Sequence, residues 1–184
     1  MRSARRVFEE RGFTASRIAD FTDECGVAVG TFYTYFSSKA EVLAEVLNEV
    51  EDEVYGVLAV RTTAGDPPQL RIRLTNELAI ASYRRNARFW AALEEASLSD
   101  ESVRRLMIER RQKYRLRTSN AIRSWQADGK VRPDIDPDFV AMALGSMTER
   151  CAYLWFVVGE PVDIDTAVRW LTDIWYAALG LPPE

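Results

Sequence analysis

The sequence predicts an all-α protein: an N-terminal three-helix unit with a helix-turn-helix, then a C-terminal helical bundle, about nine helices in all. Three observations predict it. Apolar residues recur at spacings of about three and four along the chain, and no stretch alternates as a strand would. Gly and Pro fall between the periodic segments. The composition, 47% hydrophobic and 28% charged over 184 residues, belongs to a folded chain with an ample core.

The first helix spans about 3–11 and stops at Gly12, with Ala4, Val7 and Phe8 on one side. The second opens near Ser16, whose hydroxyl suits a cap, and runs to Cys25 before Gly26. The third covers 28–35. The fourth opens at Ser37 or Ser38, with Glu41 in its first turn, and reaches about Val60. Thr62 to Pro68, including Ala64, reads as a loop. Three further helices cover about 69–85, 87–96 and 100–127, the last stopping at Asp128-Gly129. The eighth takes Asp136 as N-cap and Pro137 as its first residue, and ends near Val158 before Gly159. The ninth opens near Asp163 and ends before Gly180.

Composition narrows the function. There is no histidine, and no P-loop, Cys-x-x-Cys, Gly-x-Gly-x-x-Gly or Gly-x-Ser-x-Gly occurs. No catalytic constellation, metal site or cofactor site is therefore expected, and the chain does not read as an enzyme. Cys25 and Cys151 read as small buried hydrophobes. No apolar run reaches membrane-span length and the start lacks a signal-like stretch, so a cytoplasmic protein away from membranes is expected. Net charge is −4, unusual for a nucleic-acid binder. Residues 1–40, however, carry six basic and five acidic side chains, and few phosphate contacts are needed per subunit.

Residues 16–36 carry the functional argument. Ile18, Phe21, Cys25, Val27 and Phe32 give two short helices an apolar core, and Gly26 sits in the turn between them. The second of these helices would present Val29, Gly30, Thr31, Tyr33, Thr34 and Tyr35 outward, side chains suited to base edges and phosphates. Lys39 would meet the DNA backbone where the next helix starts. Helical hairpins with a Gly turn are often only packing, but such a face would then more often carry Glu and Lys.

The gapless run from Gly12 to Lys39, above all Gly30-Thr31-Phe32-Tyr33-Thr34-Tyr35-Phe36-Ser37-Ser38-Lys39, resembles the DNA-binding signature of the tetracycline-repressor (TetR) family. The resemblance implies an all-α homodimer on a palindromic double-stranded DNA operator, with a divergent ligand domain and repression relieved by a small molecule. It places Gly30, Thr31, Tyr33 and Tyr35 at the DNA face beside Val29 and Thr34, Lys39 on phosphate, and Ser16 or Arg17 at the backbone. Phe32 and Phe36 become core. Three residues depart from the pattern: Arg17 replaces a usual Thr, Thr22 a usual Ala, and Ala28 a frequent Ser cap. The basic arm that often precedes the first helix is not seen, so no arm contacts are predicted.

Residues 1–40 are thus the expected DNA-binding domain and 41–184 the ligand-binding and dimerisation domain. Val140, Leu144, Met147, Cys151, Leu154 and Val158 form one heptad-like seam; Ile164, Val168, Leu171, Trp175 and Ala178 form another. Either seam can face the subunit's own core. Apolar residues on other faces, Trp155 among them, favour a second copy, so Val140, Leu144, Met147, Cys151, Leu154, Trp155, Val168, Leu171 and Trp175 are the expected dimer contacts. Tyr83, Phe89, Trp90, Met107, Tyr114 and Trp125 are the candidate lining of a pocket for a largely apolar effector. Arg104, Arg105, Arg110, Arg111, Lys113, Arg115 and Arg117 are a solvated face or, in part, a site for an anionic ligand. The expected function is a ligand-responsive regulator, a repressor released by a small molecule. The alternatives are an activator of the same family, or an all-α ligand-binding protein with a degenerate DNA head.

Overall fold

The computed structural model describes residues 1–63 and 65–183, and of positions 54, 58 and 60 only the backbone; Ala64, in the expected loop, lies outside the described residues. Nine α-helices and no strand occur among the described residues: α1 (Arg2–Ala15), α2 (Ile18–Cys25), α3 (Val29–Tyr35), α4 (Lys39–Arg61), α5 (Pro68–Arg85), α6 (Ala87–Ser99), α7 (Glu101–Ala127), α8 (Pro137–Tyr153) and α9 (Ile164–Leu179). A π-helical turn, Leu154–Val158, extends α8.

The chain divides into two compact units. One comprises Met1–Glu53 and Asn86–Glu109, the other Val54–Arg85 and Arg110–Glu184. The first is larger than the 1–40 segment expected to bind DNA, because the first half of α4, all of α6 and the start of α7 join it. Its interior holds Phe8, Leu43, Val46, Phe89, Leu93, Val103 and Met107, all essentially inaccessible. Gly12 (φ 72°, ψ 174°) breaks α1 as its sequence suggests, but one more helical turn, Phe13–Ala15, follows.

The second unit is built on a cluster of Ile72, Ile122, Trp125, Val131, Ala141, Leu144, Trp175, Tyr176, Leu179 and Leu181. Three polar contacts tie its helices together from within. Asn76 donates to Thr172 at 3.1 Å, the Trp175 indole to Thr148 at 3.4 Å, and the Tyr176 hydroxyl to the Gln69 carbonyl at 2.9 Å. Asp136 caps α8 by accepting from the Phe139 amide at 2.8 Å, with Pro137 at the first turn.

Three expectations need correction. Ser16 is not the α2 cap. Its hydroxyl donates to the Phe13 carbonyl at 2.9 Å, and Asp20 instead accepts from the Arg17 amide at 2.7 Å. Cys25 and Val27 are exposed rather than core, because phenylalanines already fill the space beneath α2 and α3. The α-helical run of α8 ends at Tyr153, not Val158. The π-turn inserts an extra residue, so the heptad spacing past Cys151 loses its facing and Val158 emerges 56% exposed.

Candidate functional site

A chain of aromatic rings holds the first three helices together. Phe8 lies 6.0 Å from Phe13 and 5.0 Å from Phe21 between ring centroids; Phe21 lies 6.3 Å from Phe32, and Phe32 5.7 Å from Phe36. Spacings of this size are those of attractive ring pairs. Gly26 (φ 67°, ψ 33°) then ends α2. Its amide donates to the Asp23 carbonyl and the Val27 amide to the Thr22 carbonyl, the paired bonds of a left-handed helix stop. The Thr22 hydroxyl donates to the carbonyls of Ala19 and Ile18, the local partner its burial demands. Ala28 precedes α3 without a side-chain cap.

With Phe32 buried below, α3 turns Val29, Gly30, Thr31, Tyr33, Thr34 and Tyr35 to the surface. Tyr33 and Tyr35 are 56% and 72% exposed, far more than a structural tyrosine needs. A Cβ on Gly30 would meet nothing within 4 Å. The fold therefore does not require glycine there, although glycine costs a helix about 1 kcal/mol relative to alanine.

The charges around this hairpin are mostly spent internally. Arg6 reaches Glu10 at 2.8 Å and Glu24 at 3.1 Å, Arg11 reaches Asp20 at 2.6 Å, and Arg5 reaches Glu9 at 2.8 Å. Arg17 is exposed, and no carboxylate pairs with its guanidinium among the described residues. Lys39 is half-buried. Its ammonium donates to the carbonyls of Phe13 and, at 2.8 Å, Ser16, and lies 4.3 Å over the Phe13 ring. Burial lowers its pKa, against the pull of Asp100 and Asp20. The residue expected on phosphate thus ties the start of α4 to the α1–α2 link, and Ser16, also expected at the backbone, is buried at 3% exposure.

The expected ligand residues separate. Phe89, Trp90 and Met107 lie in the core of the first unit. Tyr83 is buried in the second, 6.5 Å from Phe156. Tyr114 and Trp125 line a cavity of about 80 Å³, together with Tyr55, Arg71, Ile72, Thr75, Asn76, Arg117, Thr118, Ala121 and Trp175. Sequence reasoning missed Arg71 and Asn76; two polar residues on the apolar Ile72 side of α5 were the available signal. Burial pushes the Tyr114 phenol pKa up, partly offset by a hydrogen bond with Thr118. A larger open groove, about 660 Å³, runs between α5 and α9. Its charges balance, with Arg73, Arg84 and Arg169 against Glu77, Asp165 and Asp173.

The expected dimer seam also divides. Leu144, Leu171 and Trp175 are buried within the subunit's own core, and Val140 and Met147 pack against it. Cys151, Leu154, Trp155 and Val168 are half-buried. The apolar groups left at the surface are instead Phe139 (63% exposed) and Met142 on α8, and Trp170 (58%) and Ile174 on α9. Of the basic α7 residues, Arg110 and Arg111 both reach Glu149, whereas Arg117 stacks on Tyr55 with its guanidinium carbon 3.6 Å from the ring centroid.

Two short helices around a glycine stop, with the second turning a mostly exposed face outward, have the geometry of a helix-turn-helix DNA-binding regulator. Residues 1–46 match the family of bacterial regulatory proteins of the tetR type, and residues 72–179 match the C-terminal domain of the transcriptional regulator EthR. The chain belongs to the TetR family, whose members are transcription regulators and not enzymes. It is 27% identical over 161 residues to the HTH-type transcriptional repressor KstR2 of Mycolicibacterium smegmatis, covering 86% of this chain and 78% of that protein. A TetR-family regulator from Rhodococcus sp. has the same fold, with TM-score 0.82 and 19% identity over 97% of this chain and 95% of that one. So has the regulator FadR from Bacillus subtilis in complex with stearoyl-CoA, with TM-score 0.79 and 15% identity over 95% and 94%. No helix among the described residues is long and apolar enough to cross a membrane.

Proposed function

We propose that this protein is a homodimeric cytoplasmic repressor that binds a palindromic operator through α3 and leaves it when a small molecule enters the cavity beside Tyr114 and Trp125. The observation that carries the reading is the outward face of α3: Gly30 without a packing reason, flanked by Thr31 and by two tyrosines more than half exposed. A glycine there allows a DNA backbone or base edge to approach closely. Arg17, at the start of α2, supplies the phosphate contact that Lys39 is not placed to give.

Residues 1–40 do the DNA binding in this reading, and 41–184 hold the effector and the partner. Phe139 and Met142 of α8 and Trp170 and Ile174 of α9 are the dimer contacts, since residues already in the subunit's core have no surface to offer. Tyr55 and Lys39 share α4, so a ligand that displaces Arg117 from the Tyr55 ring acts on the helix tied to the α1–α2 link. A coupling of about 1–3 kcal/mol would weaken operator binding about 5- to 150-fold. Repression, rather than activation, is favoured because the relatives named KstR2 are repressors.

Fluorescence anisotropy with DNA from upstream of its own gene, over a salt series, tests the reading. Tyr33→Ala should abolish preference over random DNA. Arg17→Ala should lower the slope of log affinity against log salt by about 1 per subunit. Equal binding of both DNAs by the unaltered protein would refute it.

A further inference from the structure

The cavity between α5 and α7 has an unbalanced lining. It holds two guanidinium groups, Arg71 and Arg117, and no carboxylate. Neither arginine has an acidic partner within salt-bridge distance among the described residues, unlike Arg110 and Arg111 on the same helix as Arg117. Both lie against rings instead: Arg117 at 3.6 Å from the centroid of Tyr55 and Arg71 at 5.9 Å from that of Trp125. A guanidinium held against a ring still has N–H groups to give to another acceptor, and a carboxylate matches their fork. The rest of the lining is uncharged, with Ile72, Ala121, Trp125 and Trp175 as its apolar part beside Thr75, Asn76, Tyr114 and Thr118.

We infer that this cavity takes a carboxylate with a short apolar tail, the head held by Arg71 and Arg117 and the tail against the two indoles. The volume, about 80 Å³, sets the tail. It falls short of the roughly 150 Å³ in which benzene binds, so the tail is short. A neutral ligand of the same shape would leave two cations at the mouth without a counter-charge. The inference rests on the ligand-responsive reading above and names its ligand class; the balanced groove between α5 and α9 makes no such demand.

The test is isothermal titration of the full chain with butyrate and with butyramide, its uncharged counterpart, with indole fluorescence as a second readout. Butyrate should bind saturably and butyramide at least about tenfold more weakly, the factor that hydrogen bonds to a charged group imply. Arg71→Gln and Arg117→Gln should each weaken butyrate about tenfold or more and leave butyramide unchanged. Arg110→Gln, outside the cavity, should leave butyrate binding unchanged. Equal binding of acid and amide, no saturable binding of butyrate, or indifference to both arginine variants would overturn the inference. The acid–amide comparison uses the unaltered protein, so a variant that fails to fold does not obscure it. Operator binding without ligand is measured in parallel. If it persists while butyrate fails, the ligand class is wrong and the regulator reading stands; if operator binding is absent, that reading fails instead.

Discussion

Gly145 on α8 faces the ring of Tyr114 on α7, and replacing it with alanine should put methyl and ring in the same space. A Cβ at Gly145 would lie 2.6 Å from Tyr114 Cε1, 3.4 Å from Cδ1 and 3.5 Å from Cζ. Carbon atoms prefer about 3.5–4.0 Å, so the ring or α8 must move by about 1 Å. The ring is largely buried, and Thr118 holds its hydroxyl, so it cannot swing aside freely. Overpacking of this kind costs about 1–3 kcal/mol. Alanine in mid-helix returns about 1 kcal/mol over glycine. The net expectation for Gly145→Ala is a loss of about 0–2 kcal/mol. In a Tyr114→Ala background the clash is gone while the helical gain remains, so the same substitution should stabilise by about 1 kcal/mol. Urea melts of the four proteins give the coupling directly, expected at about 1–3 kcal/mol. Additivity within about 0.5 kcal/mol would refute the close approach. The prediction bears on function, because Tyr114 walls the cavity: Gly145→Ala should also weaken butyrate binding, whereas a mutation that only loosens the core would not need to.

Other predictions follow from the same contacts. Trp170→Glu with Ile174→Glu should convert the proposed dimer to a folded monomer in light scattering, since charge cannot enter an apolar interface unpaired; a persistent dimer would place the interface elsewhere. Lys39→Met should lower stability by about 1–3 kcal/mol without DNA, through loss of two charge-assisted bonds. If Lys39 served only as a phosphate contact, the melting temperature would not change. The raised pKa of Tyr114 means its burial stabilises the fold fully below the unfolded phenol's 10.0, and that contribution fades as pH rises through the folded value. Tyr114→Phe should therefore flatten the stability profile above pH 10, and an unchanged profile would contradict the buried hydroxyl.

Much of the architecture was legible because its stops are chemical. Gly12, Gly26, Gly159 and Gly180 all take positive φ, and Asp136-Pro137 opens α8 as a cap and first-turn proline do. What was not legible depends on which face of a helix meets which neighbour. Ser16 and Asp20 are both acceptable caps four residues apart, and only the path of the chain decides between them. Phe89, Trp90, Tyr114 and Trp125 look alike in sequence, yet Phe89 and Trp90 fill a core, Tyr114 lines a cavity and Trp125 does both. Of the heptad-like seams on α8 and α9, Leu144, Leu171 and Trp175 turn inward, because helical periodicity marks the most apolar face whatever it meets. In this subunit that face serves its own core, leaving Phe139 and Trp170 outside. The π-turn has no residue signature in Leu154–Val158 to announce it.

The hairpin's charge pairing explains how a chain of net charge −4 can grip a polyanion. Most of its acidic residues are not loose repulsive charges. Glu10, Glu24 and Asp20 are bound to Arg6 and Arg11, so the pairs present little net field. The same pairing removes those arginines from phosphate binding and leaves Arg17 and Arg2 as the exposed cations without an acidic partner among the described residues. On the proposed reading, with Arg17 and at most Arg2 on phosphate, two heads would neutralise about two to four phosphates, and the expected salt slope is about −2 to −4. That is a weak electrostatic grip for a single subunit, so useful affinity must come from joining two heads and from the uncharged face of α3. The exposed apolar residues of α8 and α9 and the exposed tyrosines of α3 are thus parts of one requirement. On the proposed reading, a chain that spends its charges on holding its own hairpin together relies on a second copy to hold DNA.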